Sequence, residues 1–218
     1  MTKLDQFKKE FRNIFLCDFD PQCFDWERRS GTLAELLYDY IEYWWNADLF
    51  NWDDYSHILA SSCNASFDIW WDSERYNWQD FSWALAEYCY DYFDKWWDHQ
   101  KFNWRDAWAL SMHCYDHFHK WWDPQKYYKH ESTYLLAHYC HMHFTKWWDP
   151  TKVDWLADSG PLVKYCSQHF RTWFNPKKFH FTKETLKDLF KNCREFKHIW
   201  FTNIPVSIQQ YLRSQIRR

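Results

Sequence analysis

The stretch NWQDFSWALAEYCYDYFDKWWD, residues 77–98, contains the pattern from which the fold follows. Its closing tryptophan pair recurs along the chain at intervals of 26, 26, 25, 26, 26 and 27 residues, counting two degenerate Trp-Phe copies. The copies are Trp44-Trp45, Trp70-Trp71, Trp96-Trp97, Trp121-Trp122, Trp147-Trp148, Trp173-Phe174 and Trp200-Phe201. A motif that returns at this interval is typical of a tandem-repeat protein, in which each copy forms one supersecondary unit.

The apolar residues within one copy follow a helical spacing. Between Leu85 and Trp96 they are separated by four, four and three residues, which places them on one face of an α-helix. A serine before the leucine, such as Ser82, is a favoured N-cap residue, and an Asp-Pro step such as Asp123-Pro124 favours a helix end. Each unit is therefore predicted to be a short helix or turn followed by a helix of about 15 residues.

One such unit cannot bury its apolar face alone, so the copies are expected to stack on one another. The sequence predicts an all-α solenoid of about six to seven 26-residue helical repeats with capping helices. Residues 1–23 are expected to form an N-terminal capping helix and linker, and residues 24–178 the tandem repeats. Residues 179–218 are expected to form a degenerate repeat and a basic C-terminal cap.

Motifs such as Lys120-Trp121-Trp122-Asp123-Pro124 resemble those of uncharacterised W-W-D-P tandem-repeat proteins of phage, viral or bacterial type. The resemblance covers residues 24–178. It implies no activity, and no functional residue is carried over from it.

The amino-acid composition argues against several classes of functional site. The 218 residues include 19 Trp but only two glycines, Gly31 and Gly160. Phosphate-binding loops and nucleophile elbows need glycine at defined positions, and none of their motifs occurs in this chain. No apolar run reaches 18 residues, and the first 15 residues are typical of an amphipathic helix. We therefore expect a cytoplasmic protein without membrane contact.

Cysteine recurs at one position of the repeat, and in three copies a histidine follows three residues later. The pairs are Cys114/His117, Cys140/His143 and Cys166/His169. We interpret the cysteine as a small, reduced core residue, because helices of neighbouring repeats lie about 8–10 Å apart and the earlier copies lack the histidine. Zinc binding by two Cys-x-x-His pairs is the alternative, since both residues share one side of a helix. The favoured interpretation implies no cofactor and no metal.

A second set of positions, here called the border, lies beside the predicted core stripe. The border residues are Tyr88, Tyr92, Lys95, His113, His117, Lys120, Tyr139, His143, Lys146, Tyr165 and His169. Stacked repeats would align them as a ladder that binds a partner protein. The alternative is a partly buried edge of the packed face, where Tyr and His keep a polar tip in water.

Positive charge is concentrated at the end of the chain. Residues 177–218 carry a net charge of +7, and the remaining residues carry −10. Candidates for contact with phosphate are Lys177, Lys178, Lys183, Lys187, Lys191 and Arg194. A solvated cap surface is the favoured interpretation, and nucleic-acid binding at this basic end is the alternative.

The Cys, His and Asp residues that could take part in catalysis recur in several repeats, whereas an active site is usually a single cluster of residues. The sequence therefore predicts a non-enzymatic, protein-binding repeat scaffold, for example a phage- or virus-encoded inhibitor or adaptor that acts on a host complex. One alternative is a nucleic-acid- or nucleotide-binding helical repeat protein. A metal-dependent enzyme that uses the Cys and His positions is the less favoured alternative.

Overall fold

The computed structural model describes residues 1–206 and 208 and contains two compact units, Met1–His117 and Phe118–Arg218. Its described residues are helical without any β-strand, which confirms the predicted all-α class. The predicted basic C-terminal cap falls partly on residues 207 and 209–218, which lie outside the described residues.

The first unit contains helices of 13, 11 and 7 residues alternating with one-turn helices. Its α-helices are α1 (Lys3–Phe15), α2 (Trp26–Leu36), α3 (Ile41–Trp44), α4 (Trp52–Ser62), α5 (Phe67–Trp70), α6 (Trp78–Tyr88), α7 (Phe93–Trp96) and α8 (Ala107–His113). Its 3-10 segments are Tyr38–Tyr40, Asn64–Ser66, Tyr90–Tyr92, Trp104–Asp106 and Tyr115–His117.

The second unit repeats this alternation. Its α-helices are α9 (Phe118–Trp121), α10 (Pro124–Tyr127), α11 (Thr133–Tyr139), α12 (Phe144–Trp147), α13 (Trp155–Tyr165), α14 (Phe170–Trp173), α15 (Lys183–Asn192) and α16 (Lys197–Trp200). Its 3-10 segments within the described residues are His141–His143, Ser167–His169, Arg194–Phe196 and Phe201–Asn203.

Helices α2, α4, α6 and α13 begin at the Asn or Asp that precedes a tryptophan. Asn77 shows the reason: its side-chain oxygen accepts the backbone N–H of Asp80 at 3.2 Å, and its Nδ2 donates to the Asp53 carbonyl of the preceding repeat at 2.8 Å. The prediction that Ser82 is the N-cap is wrong. Its hydroxyl donates to the Trp78 carbonyl inside α6 and accepts the backbone N–H of Asn103, in the next repeat, at 2.9 Å. The serine position thus joins consecutive repeats.

The predicted helix of about 15 residues is also wrong, because the chain breaks at the cysteine position. Helix α6 ends at Tyr88, a 3-10 segment follows, and α7 begins at Phe93. The Cys89 carbonyl accepts the Tyr92 backbone N–H of the 3-10 segment at 2.9 Å, and the Trp96 indole Nε1 donates to the same oxygen at 2.8 Å. The short helix therefore follows the long one. The indoles that bond equivalently are those of Trp44, Trp70, Trp147, Trp173 and Trp200.

Long helices pack in sequence order within each unit, as in an α-solenoid. In the first unit, α2 packs against α4, α4 against α6, and α6 against α8. In the second, α11 packs against α13, and α13 against α15. The first tryptophan of every pair is at most 2 % exposed. Since each buried aromatic removes about 150–250 Å² from water, these rings supply much of the core.

Candidate functional site

The ring positions of the border are packing contacts between consecutive repeats. In the first unit, Tyr92 stacks on Phe67 and His117 on Phe93, with ring centroids 4.6 and 4.4 Å apart and interplanar angles of 8° and 4°. In the second unit the stacked pairs are His143 on Phe118, His169 on Phe144 and Phe196 on Phe170, at 4.6, 4.4 and 4.8 Å. Because Phe196 fills the same position as the histidines, what these pairs share is a flat ring.

The lysine positions of the border are exposed. Lys95 pairs with Asp68 of the preceding repeat at 2.5 and 2.7 Å and lies 5.3 Å from the centre of the Tyr92 ring. Such a solvent-exposed pair stabilises by about 1 kcal/mol or less. In the second unit, Lys120 and Lys146 are likewise exposed.

The remaining border residues, Tyr88, His113, Tyr139 and Tyr165, are half-buried at the last position of their long helices. In the second unit, two of them belong to a cluster of rings centred on His138. The His138 ring lies 4.2 Å from the Tyr139 ring, 4.4 Å from Tyr165 and 6.2 Å from Tyr134. Burial lowers the pKa of His138, and the charges of Lys164 and His141 lower it further. The imidazole is thereby favoured in its neutral form, as a packing ring.

A pocket of about 210 Å³ adjoins this cluster. It is lined by Tyr134, Gly160, Pro161, Lys164, Tyr165, Glu184, Thr185 and Asp188. Because Tyr134 and Tyr165 belong to both features, the ring cluster and the pocket form one continuous surface on α11, α13 and α15, which we take as the candidate site.

Gly160 and Thr185 explain why a pocket forms at this place. In the repeat alignment Gly160 occupies the position of Trp83 and Trp108, and Thr185 occupies that of Tyr55. Around Gly31, which shares the position, the Tyr55 ring fills the space, so that an added Cβ would lie 2.6 Å from it. An added Cβ on Gly160 would have no atom within 4 Å.

A larger hollow of about 310 Å³ lies on α1, where it is lined by Asp5, Lys8, Lys9, Arg12 and Asn13. All of these residues come from one face of one helix, and Arg12 is already paired with Asp18. The hollow is an open space between charged side chains, and we do not take it as a site.

Two acidic residues are shielded from water, and the sequence did not predict their burial. Burial raises the pKa of Asp106 to about 6, although its carboxylate accepts the Trp83 backbone N–H. Burial also raises the pKa of Asp158 to about 6. Asp158 is fully buried, and one of its oxygens accepts the Asp154 backbone N–H at 2.8 Å while Oδ1 has no hydrogen-bond partner.

The cysteines of the repeat lie in the core. The Cys63 thiol donates to the Ala34 carbonyl of the preceding repeat at 3.6 Å, and Cys89 donates equivalently to Ala60. Burial raises the pKa of Cys63, Cys89, Cys140, Cys166 and Cys193 to about 12 and also raises that of Cys114. Within residues 1–206 and 208, no group of three His, Cys, Asp or Glu side chains is arranged to hold a metal ion.

The basic residues named from the sequence lie on both sides of the start of α15. Lys177 and Lys178 precede the helix, Lys183 is its first residue, and Arg194 follows it. All six are exposed. Of this set, none lines the pocket, whose basic residue is Lys164.

Sequence reasoning identified Tyr165 of this pocket but missed Tyr134, Lys164, Glu184 and Asp188. A signal was present in the replacement of an aromatic by Gly160. A Ser-Gly-Pro sequence such as residues 159–161 is typical of a helix start, whereas Gly160 lies inside α13.

No family model, curated protein sequence or solved structure matches this chain. Among the described helices, none has the length and apolarity needed to cross a bilayer.

Proposed function

We propose that this chain is a non-enzymatic, protein-binding helical-repeat scaffold of the adaptor or inhibitor type. The observation that carries the proposal is the pocket on α13 and α15, which interrupts the ring packing beside a half-buried aromatic cluster. Half-exposed tyrosines with an adjoining pocket are typical of the anchor points of protein interfaces.

The chemistry of the repeated residues supports a non-enzymatic role. Cysteine needs its thiolate form to act as a nucleophile, and the buried thiols have pKa values raised to about 12. The histidines at 117, 143 and 169 are engaged in ring stacking with the preceding repeat. These residues are therefore better suited to packing than to catalysis.

Partner capture tests this proposal. The full chain and its Gly160→Trp variant are immobilised and incubated with extract of the cells in which the chain is naturally made, and bound proteins are quantified by mass spectrometry. Tryptophan already occupies this position in two other repeats, so the variant is expected to fold and to fill the pocket. A protein enriched by the parent and lost with the variant supports the proposal, whereas identical captured sets contradict it.

Nucleic-acid binding is the second candidate, and the division into two units favours it. Residues 118–218 contain 17 Lys+Arg and 8 Asp+Glu, a net charge of +9, whereas residues 1–117 contain 10 and 22, a net charge of −12. The affinity for a single-stranded oligonucleotide should fall as salt rises. The slope of log affinity against log salt concentration should be about −0.7 for each phosphate contact. A Lys178→Gln/Lys191→Gln variant should lower that slope by about 1.4. An oligonucleotide affinity that is independent of salt excludes this candidate.

A further inference from the structure

If the chain binds a partner protein as proposed above, the residues that line the pocket on α13 and α15 indicate which side chain occupies it. We propose that it receives one arginine side chain from a partner segment that is otherwise acidic. Four features of the pocket favour this occupant: its size, its carboxylates, its aromatic walls and the charge around it.

The size of the pocket fits a single side chain. Its volume of about 210 Å³ is below the roughly 300–1,000 Å³ of sites for drug-sized ligands and cofactors. Two other repeats have a tryptophan at the Gly160 position, and one has a tyrosine at the Thr185 position, so a ring is available to fill the equivalent space in those repeats. An occupant from outside would therefore restore packing that the repeat has lost at this place.

Two carboxylates line the pocket, and neither has a cationic partner among the described residues. Glu184 and Asp188 are four residues apart on α15, which places them on the same side of that helix. No described lysine or arginine lies within ion-pairing distance of either, and Lys164 on the same rim pairs with neither. In contrast, Asp68 and Glu74 pair with lysines of the next repeat. The pocket therefore offers two free acceptors for a cation.

The aromatic walls select guanidinium over ammonium. Tyr134 is 41 % exposed, Tyr165 is half-buried, and both line the pocket. A guanidinium is planar, stacks on aromatic rings and forms paired hydrogen bonds with a carboxylate, whereas an ammonium is compact and strongly hydrated. Arginine thus uses both features of the pocket at once.

Charge around the pocket determines what flanks the arginine. The unit has a net charge of +9, and α15 itself has exposed lysines at 183, 187 and 191. A generally basic partner would be repelled by these groups. An arginine between acidic residues complements both the two carboxylates and their basic surroundings.

The test measures fluorescence anisotropy of a labelled Gly-Glu-Glu-Arg-Glu-Glu-Gly peptide with the full chain. The matched probe has citrulline, the neutral isostere, in place of arginine. We expect saturable binding of the arginine peptide and affinity about tenfold or more weaker for citrulline, since a charge-assisted hydrogen bond is lost. Equal affinity for both peptides, or no binding of either, overturns the assignment.

Variants locate the contact. Because Glu184 is exposed, Glu184→Gln should weaken binding of the arginine peptide about three- to fivefold. The control Glu195→Gln, an exposed residue outside the pocket, should change it by less than about twofold. Gly160→Trp should abolish binding with an unchanged circular-dichroism spectrum, and Gly160→Ala tests the pocket if the tryptophan variant does not fold. Equal effects of the two glutamate substitutions refute the site.

The two proposals fail separately. If Gly160→Trp loses the captured partner but the peptides bind equally, the scaffold function is supported and the arginine assignment is wrong. If the arginine peptide binds as described but the captured sets are identical, the pocket recognises arginine and the scaffold proposal fails.

Discussion

At the scale of single residues, the two tryptophans of each pair have different tasks. The first, represented by Trp96, is buried and donates its indole N–H to the carbonyl at the helix break. The second, represented by Trp97, is half-buried and stacks on Phe93 at 5.2 Å. Phenylalanine replaces the second tryptophan at Phe174, which indicates that this position needs a ring but not a hydrogen-bond donor.

Substituting each member of one pair tests this division. Trp96→Phe should lower the free energy of unfolding by about 2 to 3 kcal/mol, because it leaves a cavity and removes one of the two hydrogen bonds that the buried Cys89 carbonyl accepts. Trp97→Phe should cost less than about 1 kcal/mol. Urea unfolding followed by circular dichroism measures both, and equal losses would show that the indole hydrogen bond contributes little.

Asp158 gives the stability a predictable dependence on pH. Its pKa is about 6 in the folded chain and 3.8 in its ordinary state, so folding favours the protonated form. Its contribution is therefore favourable at low pH and is lost as pH rises from about 4 through 6. We therefore compare the free energy of unfolding of Asp158→Asn with that of the parent. This difference should favour the variant by about 2 kcal/mol more at pH 7.5 than at pH 4.5. An equal difference between variant and parent at both pH values would contradict the prediction.

At the scale of elements, each long helix is completed by the repeat that follows it. The Tyr55 ring of α4 covers Gly31 of α2, and the hydroxyl of Ser82 in α6 accepts the Asn103 backbone N–H. These contacts join residues about one repeat apart, so stability depends on neighbouring copies. Substitutions at equivalent positions therefore have different costs wherever the neighbouring repeat differs.

The two glycines provide a matched comparison. Gly31→Ala should destabilise by about 1 to 3 kcal/mol, because its Cβ would lie 2.6 Å from the Tyr55 ring. Gly160→Ala should stay within about 0.5 kcal/mol of the parent, since the gain in helix propensity is opposed by crowding against the Pro161 ring. Thermal unfolding of both variants checks this order, and a larger loss for Gly160→Ala contradicts the origin given for the pocket.

At the scale of the whole molecule, the main property is the separation of charge between the two units. A net charge of −12 in residues 1–117 and +9 in residues 118–218 is hidden in an overall charge of −3. Each unit experiences like-charge repulsion within itself, which opposes folding and weakens as salt screens it. The charge of the whole chain is therefore a poor guide to either unit.

This separation predicts how salt affects the first unit. Raising sodium chloride from about 20 to 200 mM should raise its unfolding midpoint by about 2 to 4 °C, because screening reduces repulsion among the carboxylates. Hydrogen exchange of peptides from α2 to α6, recorded along a temperature series, reports on this unit alone. An Asp91→Asn/Asp116→Asn variant should show a smaller effect, and a midpoint that falls with salt would mean that ion pairs dominate.

The sequence alone determined the repeat and its core. The interval between tryptophan pairs, the helical spacing of apolar residues and the scarcity of glycine predicted an all-α repeat fold, and the buried positions follow from them. These properties are local, since each repeat contains its own apolar pattern and the same pattern returns in the next copy.

Tertiary structure decided where the helices break and where a pocket forms. The break depends on an indole that reaches back seven residues to a carbonyl, as Trp96 does to Cys89, and helical spacing continues unchanged through it. The stacked rings and the Gly160 pocket depend on which side chain the adjoining repeat supplies, Tyr55 in one place and Thr185 in the other. Contacts between residues 24 to 26 positions apart leave no local pattern in the sequence, so only the folded chain shows them.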